Sequence, residues 1–323
     1  MERRKERTMN KYTIKKRCLI LILILIVTSI LPLAGCSRRK ATDNTIHIGV
    51  MYSSDIIPLA VITENGLDKK YGIQLDMQVF SSARDRDAAL QSGELDGVFT
   101  DYIGMCMYRN AGLDMKITGV TDGDYLLMAG QDTGITSIDD AVGSSIAISE
   151  NTLIEYTLDY LLAGNELDSD YLKKEIVPKI PDRLEMLRTG KTAMGLLPEP
   201  FATLAVNSGA VLLGSANQEG LYPAVSAFSQ TAIDNKKEAV RSLYAAYDEA
   251  VDYINNTPLS EYEATVIKAA GYPEELSGQI ELPVFRKNTL PSTEDLADAI
   301  QWAAGKGLCS SDLKPEDLLG NLD

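Results

Sequence analysis

Four short runs rich in apolar and β-branched residues, IHIGV (46–50), QLDMQVF (74–80), DGVF (96–99) and MKITGV (115–120), alternate with stretches of helical spacing such as DIIPLAVITENG and DRDAALQSG. Short buried strands joined by segments long enough to cross over predict parallel βαβ units in an α/β domain. A second block repeats the pattern: SSIAIS (144–149), a helix from about Thr152 to Gly164, a helix near Pro181 to Thr189 and the strand AMGLL (193–197). VSAFS (225–229) then leads into helices, including KKEAVRSLYAAYDEAVDYI, whose Ala, Val, Leu and Tyr positions form one stripe. The two blocks also echo each other directly. DRDAALQSGELDGVF (85–99) aligns without gaps to DRLEMLRTGKTAMGL (182–196). Asp85 and Asp182 suit helix N-caps, and Gly93 and Gly190 suit left-handed helix stops. Two lobes built this way would face each other across a cleft.

The N-terminus constrains where such a domain works. MERRKERTMNK is basic and is followed by KKRCLILILILIVTSILPLAG, the charged and apolar regions of an export signal; Met9 is an equally good start. The apolar block from Cys18 to Leu33 is interrupted by Thr28, Ser29 and Pro32, and is too short for a comfortable span of roughly 20 residues. Its end, Leu33-Ala34-Gly35-Cys36, resembles the lipobox of bacterial lipoproteins, in which the Cys thiol takes a diacylglycerol and becomes the new N-terminus. The expected division is a lipoprotein signal over residues 1–35 and a lipidated tether over 36–44, anchored to the cell membrane through Cys36. Residues 1–35 hold eight of the 31 Lys and Arg and two of the 46 Asp and Glu, so the remainder carries 23 basic against 44 acidic residues. That charge disfavours nucleic acid and anionic lipid as partners.

In open α/β sheets ligands bind beyond the carboxyl ends of the strands, where helix N-termini point N–H groups into the crevice. Five segments satisfy that rule: Tyr52-Ser53-Ser54-Asp55, Ser81-Ser82-Ala83-Arg84, Thr100-Asp101-Tyr102, Ser149-Glu150-Asn151-Thr152 and Pro198-Glu199-Pro200. Each small polar residue alone is more often a helix cap than a contact. Their convergence nominates Ser53, Ser54, Asp55, Ser81, Arg84, Thr100, Asp101, Glu150, Asn151, Thr152 and Glu199 as ligand-binding residues. Four carboxylates, Asp55, Asp101, Glu150 and Glu199, face Arg84 alone among these loops. Buried carboxylates without cationic partners favour a cationic or donor-rich solute, such as an aminopyrimidine stacked on Tyr52, Phe80, Tyr102 or Tyr156.

Enzyme chemistry finds no support. The sequence has no G-x-S-x-G elbow, H-E-x-x-H, C-x-x-C or phosphate-binding loop, and its one His, His47, falls inside a strand. Asp122-Gly-Asp124, Asp139-Asp140 and Asp168-Ser-Asp170 read as polar turns. Cys106 and Cys309 have no metal-like spacing, and no cofactor or metal is expected; the two thiols either pair or stay free and buried.

The order of strand–helix units, together with IGVMYSSDIIPLAVITENGLDKKYGIQLDMQVF, SGELDGVFTDY, SIDDAVGSSIAIS and LPEPFATLA, resembles the solute-binding proteins of ABC importers in the nitrate, sulfonate, taurine and thiamine-pyrimidine group. The likeness covers roughly residues 45–300. It implies a type II periplasmic-binding-protein fold, α/β, with two lobes of mostly parallel sheet flanked by helices and joined by two crossover strands. Lobe 1 would be residues 45–124 and 223–323, and lobe 2 residues 125–222, with hinges at DYLLMAG (124–130) and near Leu221-Tyr222-Pro223. It further implies an extracytoplasmic, monomeric binding protein that delivers a small solute to permease and ATPase subunits. A ligand sensor acting through a membrane receptor is the alternative, and an exported enzyme a weaker one.

Overall fold

A computed structural model describes Asn44–Leu322. The signal, Cys36 and nearly all of the tether lie outside these residues.

Two five-stranded sheets carry the fold. In chain order, β1 (Thr45–Met51) is followed by α1 (Ile57–Glu64), α2 (Leu67–Lys70), β2 (Gln74–Phe80), α3 (Ala83–Gln91), β3 (Gly97–Asp101), α4 (Tyr102–Asn110) and β4 (Met115–Val120). The chain then crosses to β5 (Tyr125–Ala129), β6 (Ser145–Ile148), α5 (Leu153–Gly164), β7 (Lys173–Ile176), α6 (Ile180–Arg188), β8 (Met194–Pro198), α7 (Phe201–Asn207) and β9 (Val211–Ser215). It returns through β10 (Ala224–Ser229) and ends in α8 (Gln230–Asn256), α9 (Glu263–Ala270), α10 (Thr293–Gly305) and α11 (Pro315–Leu318).

The sheets share one plan. The first has the order β2-β1-β3-β10-β4 and the second β7-β6-β8-β5-β9. In each, a single reversed strand, β10 or β5, runs antiparallel to both neighbours, and the other adjacent pairs are parallel. Each reversed strand is the one by which the chain arrives from the other sheet. Both carry a register shift, between Ser226 and Ala227 and between Leu127 and Met128.

β2 and β4 coincide with the runs read from sequence. The edge strands β7 and β9 were hidden, because KKEI exposes three of its four side chains and has no apolar alternation to betray it. DYLLMAG supplies β5 itself, and the crossing proper is Thr121–Asp124. Gly93 and Gly190 adopt the expected left-handed φ values of 81° and 66°. The N-cap expectation fails at both positions of the echo. α3 is capped by Ser82, whose hydroxyl accepts from the Asp85 amide and donates to the Asp85 carboxylate, and α6 starts at Lys179 with no side-chain cap. Asp85 and Asp182 instead sit in the first turns, where negative charge suits the helix dipole.

The apolar core falls into three clusters. One cluster runs from α4 and β4 through Tyr125, Leu127 and Ile146 to α5 and α10, so residues of both sheets share it. A second packs α1 and the inner face of α8 against β1. The two crossings are also tied to each other. Asp124 accepts from its neighbour's amide at Tyr125 (2.7 Å), from Ser215 Oγ (2.5 Å) and from the Asn217 amide (3.1 Å). The Ala216 amide donates to Tyr125 O, and the Thr121 amide to Ala224 O, both at 3.0 Å. Asp124→Ala would strand these donors at a half-buried position. It is expected to cost on the order of 2 kcal/mol, read as a lower denaturation midpoint at unchanged slope; an unmoved midpoint would show that the carboxylate does not tie the crossings.

Candidate functional site

Helix N-termini from both sheets converge on one cavity of about 540 Å³. One wall is formed by the starts of α3 and α4, with Ser82, Arg84, Arg86, Asp87, Asp101, Gly104 and Met107. The other is Ser149–Thr152 at the start of α5, with Ile176 and Pro178. The strand-end rule works because each helix begins directly beyond a strand, and each start is fixed by a cap: Ser82 accepts from Asp85 N, Asp101 from Gly104 N and Thr152 from Ile154 N. Two nominated polar residues, Asp101 and Thr152, are therefore caps that also wall the cavity, and the third cap, Ser82, stands beside the nominated Ser81.

Of the nominated residues, Arg84, Asp101, Glu150, Asn151 and Thr152 line this cavity. Ser81 and Thr100 do not; Thr100 is buried behind it, accepting from Arg86 at 3.2 Å. None of Tyr52, Phe80, Tyr102 and Tyr156 lines it either. Tyr102 and Tyr156 are core residues, and Tyr156 meets Trp302 edge-on at 5.5 Å. Stacking on those four rings is thus not available in this cavity.

The remaining nominees, Ser53, Ser54, Asp55 and Glu199, gather around the crossing segments. Asp55 is buried, with Thr121 Oγ1 donating to it at 2.8 Å. Burial pushes its pKa up, Thr121 pulls it back, and neighbouring Asp122 adds to the rise. Asp101 is raised by burial against the pull of the Gly104 amide and Arg86. Glu199 is raised by burial, with Asp124 contributing, although the Thr203 amide donates to it at 3.1 Å. Tyr125 is raised by burial and by Asp55, Asp101 and Asp124, which places its hydroxyl among the carboxylates of this region. Among the described residues, two buried hydroxyls nearby, those of Tyr247 and Tyr272, have no hydrogen-bond partner. Asp122 alone is paired, accepting from Arg286 N at 2.7 Å and from its guanidinium.

Arg86 is the buried cation of this cavity that sequence reasoning missed. On a polar helix it looks solvent-facing, yet it is 3 % exposed and donates to Phe99 O (2.6 Å) and Tyr108 OH (3.1 Å) while pairing with Asp87 (2.8 Å). Burial disfavours its charge, but Tyr108, Asp87 and Asp101 outweigh that and hold it protonated. The available signal was the repeated Asp-Arg pair, because Arg183 is buried at the matching place. Arg183 donates to Val177 O at 3.3 Å, and burial pushes its pKa down to about 10. The cation count of the site is therefore two where the loops alone indicated one.

Beyond the cavity a clasp joins α5 to α10, which itself packs on α4. Trp302 Nε1 donates to Asp159 at 3.0 Å, Lys174 bridges Glu155 and Asp159 at 3.1 and 2.7 Å, and Lys306 meets Glu155 at 2.5 Å. The same Glu155 accepts from the Asn151 amide at 2.8 Å, so one carboxylate serves both clasp and cavity wall. Among the described residues no group of three His, Cys, Asp or Glu side chains is disposed to hold a metal.

The architecture defines a two-lobe α/β binding-protein fold with a cavity between its halves. Residues 39–268 match the model of the NMT1-like family, and the chain belongs to that family. A Brachyspira hyodysenteriae protein described as an ABC transporter periplasmic binding protein is 21 % identical over 266 residues, 76 % of each chain. Among solved structures, the aliphatic sulphonate binding protein SsuA of Escherichia coli superposes with a TM-score of 0.71 at 15 % identity, covering 86 % of this chain and 92 % of its own. The nitrate-binding protein NrtA of Synechocystis PCC 6803 gives 0.62 at 15 % identity, covering 83 % of each.

Two outcomes are expected here. The folded state holds the Asp55 proton more tightly than the unfolded chain does, so ionisation at neutral pH costs stability. Asp55→Asn should raise the melting temperature at pH 7, with the gain vanishing as pH falls toward the ordinary carboxylate value of 3.8; a loss of stability at pH 7 would contradict the assignment. Glu155 is the opposite case. Burial raises it, but Lys306, the Asn151 amide and Lys174 together hold it below 4.5, so its contribution is present above that value and lost as pH falls further. The fluorescence of Trp302, the one Trp in the chain, should report that loosening.

Proposed function

We propose that this chain is the extracytoplasmic solute-binding lipoprotein of an ABC importer, anchored through Cys36, which closes on a small amine-bearing solute and delivers it to permease and ATPase subunits. The chain is a binding protein and not an enzyme. Family membership, the fold and the names of its relatives support the class. The single observation that carries the solute reading is the set of desolvated carboxylates, Asp101 on the cavity wall and Asp55 and Glu199 around the crossings, the latter two near the unpartnered hydroxyls of Tyr247 and Tyr272. An ammonium or amino-heteroaryl donor would satisfy carboxylates that are costly to bury without a cationic partner. Arg84 and Asn151, on facing walls, supply donors for an acceptor on the same solute. An aminopyrimidine fits that demand by hydrogen bonding rather than by stacking.

On this reading residues 45–124 and 223–323 form one lobe and 125–222 the other, and the tied crossings act as the hinge of a monomer. The test is a thermal-shift screen of the chain from Ser37 onward against aminopyrimidines, thiamine, polyamines, amino acids, taurine, alkanesulfonates and nitrate. Binding to the folded state adds about 2.7 kcal/mol at one hundred times Kd, a visible shift. The expected hit is an amine-bearing compound, and Asp101→Asn and Glu199→Gln should each weaken it at least about tenfold, ~1.4 kcal/mol. A shift confined to sulfonates or nitrate would overturn the solute reading and leave the binding-protein reading intact; silence throughout would overturn both.

A further inference from the structure

Cys106 and Cys309 are roughly 200 residues apart in sequence, a separation at which a cross-link removes much chain entropy. The fold brings them together. Cys106 lies in the middle of α4 with no exposed surface, and Cys309 follows α10 at 8 % exposure. Both belong to one apolar cluster, because α10 packs along α4. The two thiols perturb each other's ionisation, so they are neighbours in this packing. Cys309 Sγ also donates to Ile300 O at 3.8 Å, and among the described residues no metal-holding cluster includes either thiol. Both are free here.

We propose that Cys106 and Cys309 are a disulfide-forming pair that is oxidised once the chain reaches an oxidising compartment. The step is a thiol–disulfide exchange with an external disulfide RSSR, a small molecule such as cystine or an exchange protein. The Cys309 thiolate attacks one sulfur of RSSR and expels RS⁻. Cys106 then attacks Cys309 in the mixed disulfide and expels the second RS⁻. Both thiol protons end on the departing RSH, so the protein loses two electrons and two protons while RSSR gains them. Burial raises both thiols, so neither carries much thiolate in the native state. Exchange is therefore expected during folding, or through opening of the segment after α10, rather than at the closed surface. The cross-link would fix α10, the helix that presents Trp302 and Lys306 to α5, onto the first sheet.

The experiment is peptide mapping of the full chain after refolding with cystine, with free thiols alkylated under denaturing conditions before digestion. Expected are a peptide pair joining Cys106 to Cys309, an intact mass lighter by two hydrogens, and a melting temperature roughly 5–10 °C above that of the reduced chain. Cys309→Ser should abolish both the linked pair and the redox dependence of melting while remaining folded, since a serine fits the same volume. Full alkylation of both thiols after cystine treatment would overturn the proposal, as would linkage to Cys18, to Cys36 or between chains in place of this pair. The in vitro arm does not depend on export or on any solute, so its failure is separate from failure of the binding-protein reading.

Discussion

The two halves of this molecule are held in relation by a double crossing, and the hydrogen bonds of Asp124 fasten one crossing to the other. Each crossing delivers a strand that must run against its neighbours, because it arrives from the opposite side. The reversed strands β5 and β10 therefore follow from the connection itself. Everything a cleft needs, two sheets with their strand ends aimed at one space, depends on that arrangement. The helix starts at Ser82, Asp101 and Thr152 reach the cavity only because their parent strands are held with carboxyl ends facing.

The same geometry explains an uneven distribution of charge. Arg86 is surrounded by a carboxylate, a carbonyl and two hydroxyls, so burying it adds rigidity at tolerable cost. Asp55 and Glu199 have only neutral donors, and their protonation equilibria shift accordingly. A fold selected for stability alone would neutralise such groups or remove them.

Much of this was legible from sequence for a definite reason. β2, β4, β8 and the caps of α4 and α5 declare themselves through local pattern, apolar runs ending in small polar residues. β7 was illegible because an exposed edge strand such as KKEI has no buried face to encode. Arg86 was illegible because its burial comes from β3 and α4, which approach it only in three dimensions. The division of the carboxylates between the cavity and the crossings was equally out of reach. Asp101 ends β3 and Asp55 follows the neighbouring β1, and only the path of residues 121–124 decides which of them meets Thr121. The contact of Cys106 with Cys309 depends on where α10 docks, which no local signal specifies.

The position of β10 has a consequence for the order of assembly. The second sheet is drawn from one uninterrupted stretch, Tyr125 to Ser215, whereas the first has a strand at its heart, between β3 and β4, that is absent until that stretch has passed. A chain emerging from its N-terminus can finish the second sheet while the first still has a gap between β3 and β4, each exposing unpaired backbone. The half that begins first must close last, and its open edges are the most vulnerable surface the protein presents on its way to the folded state.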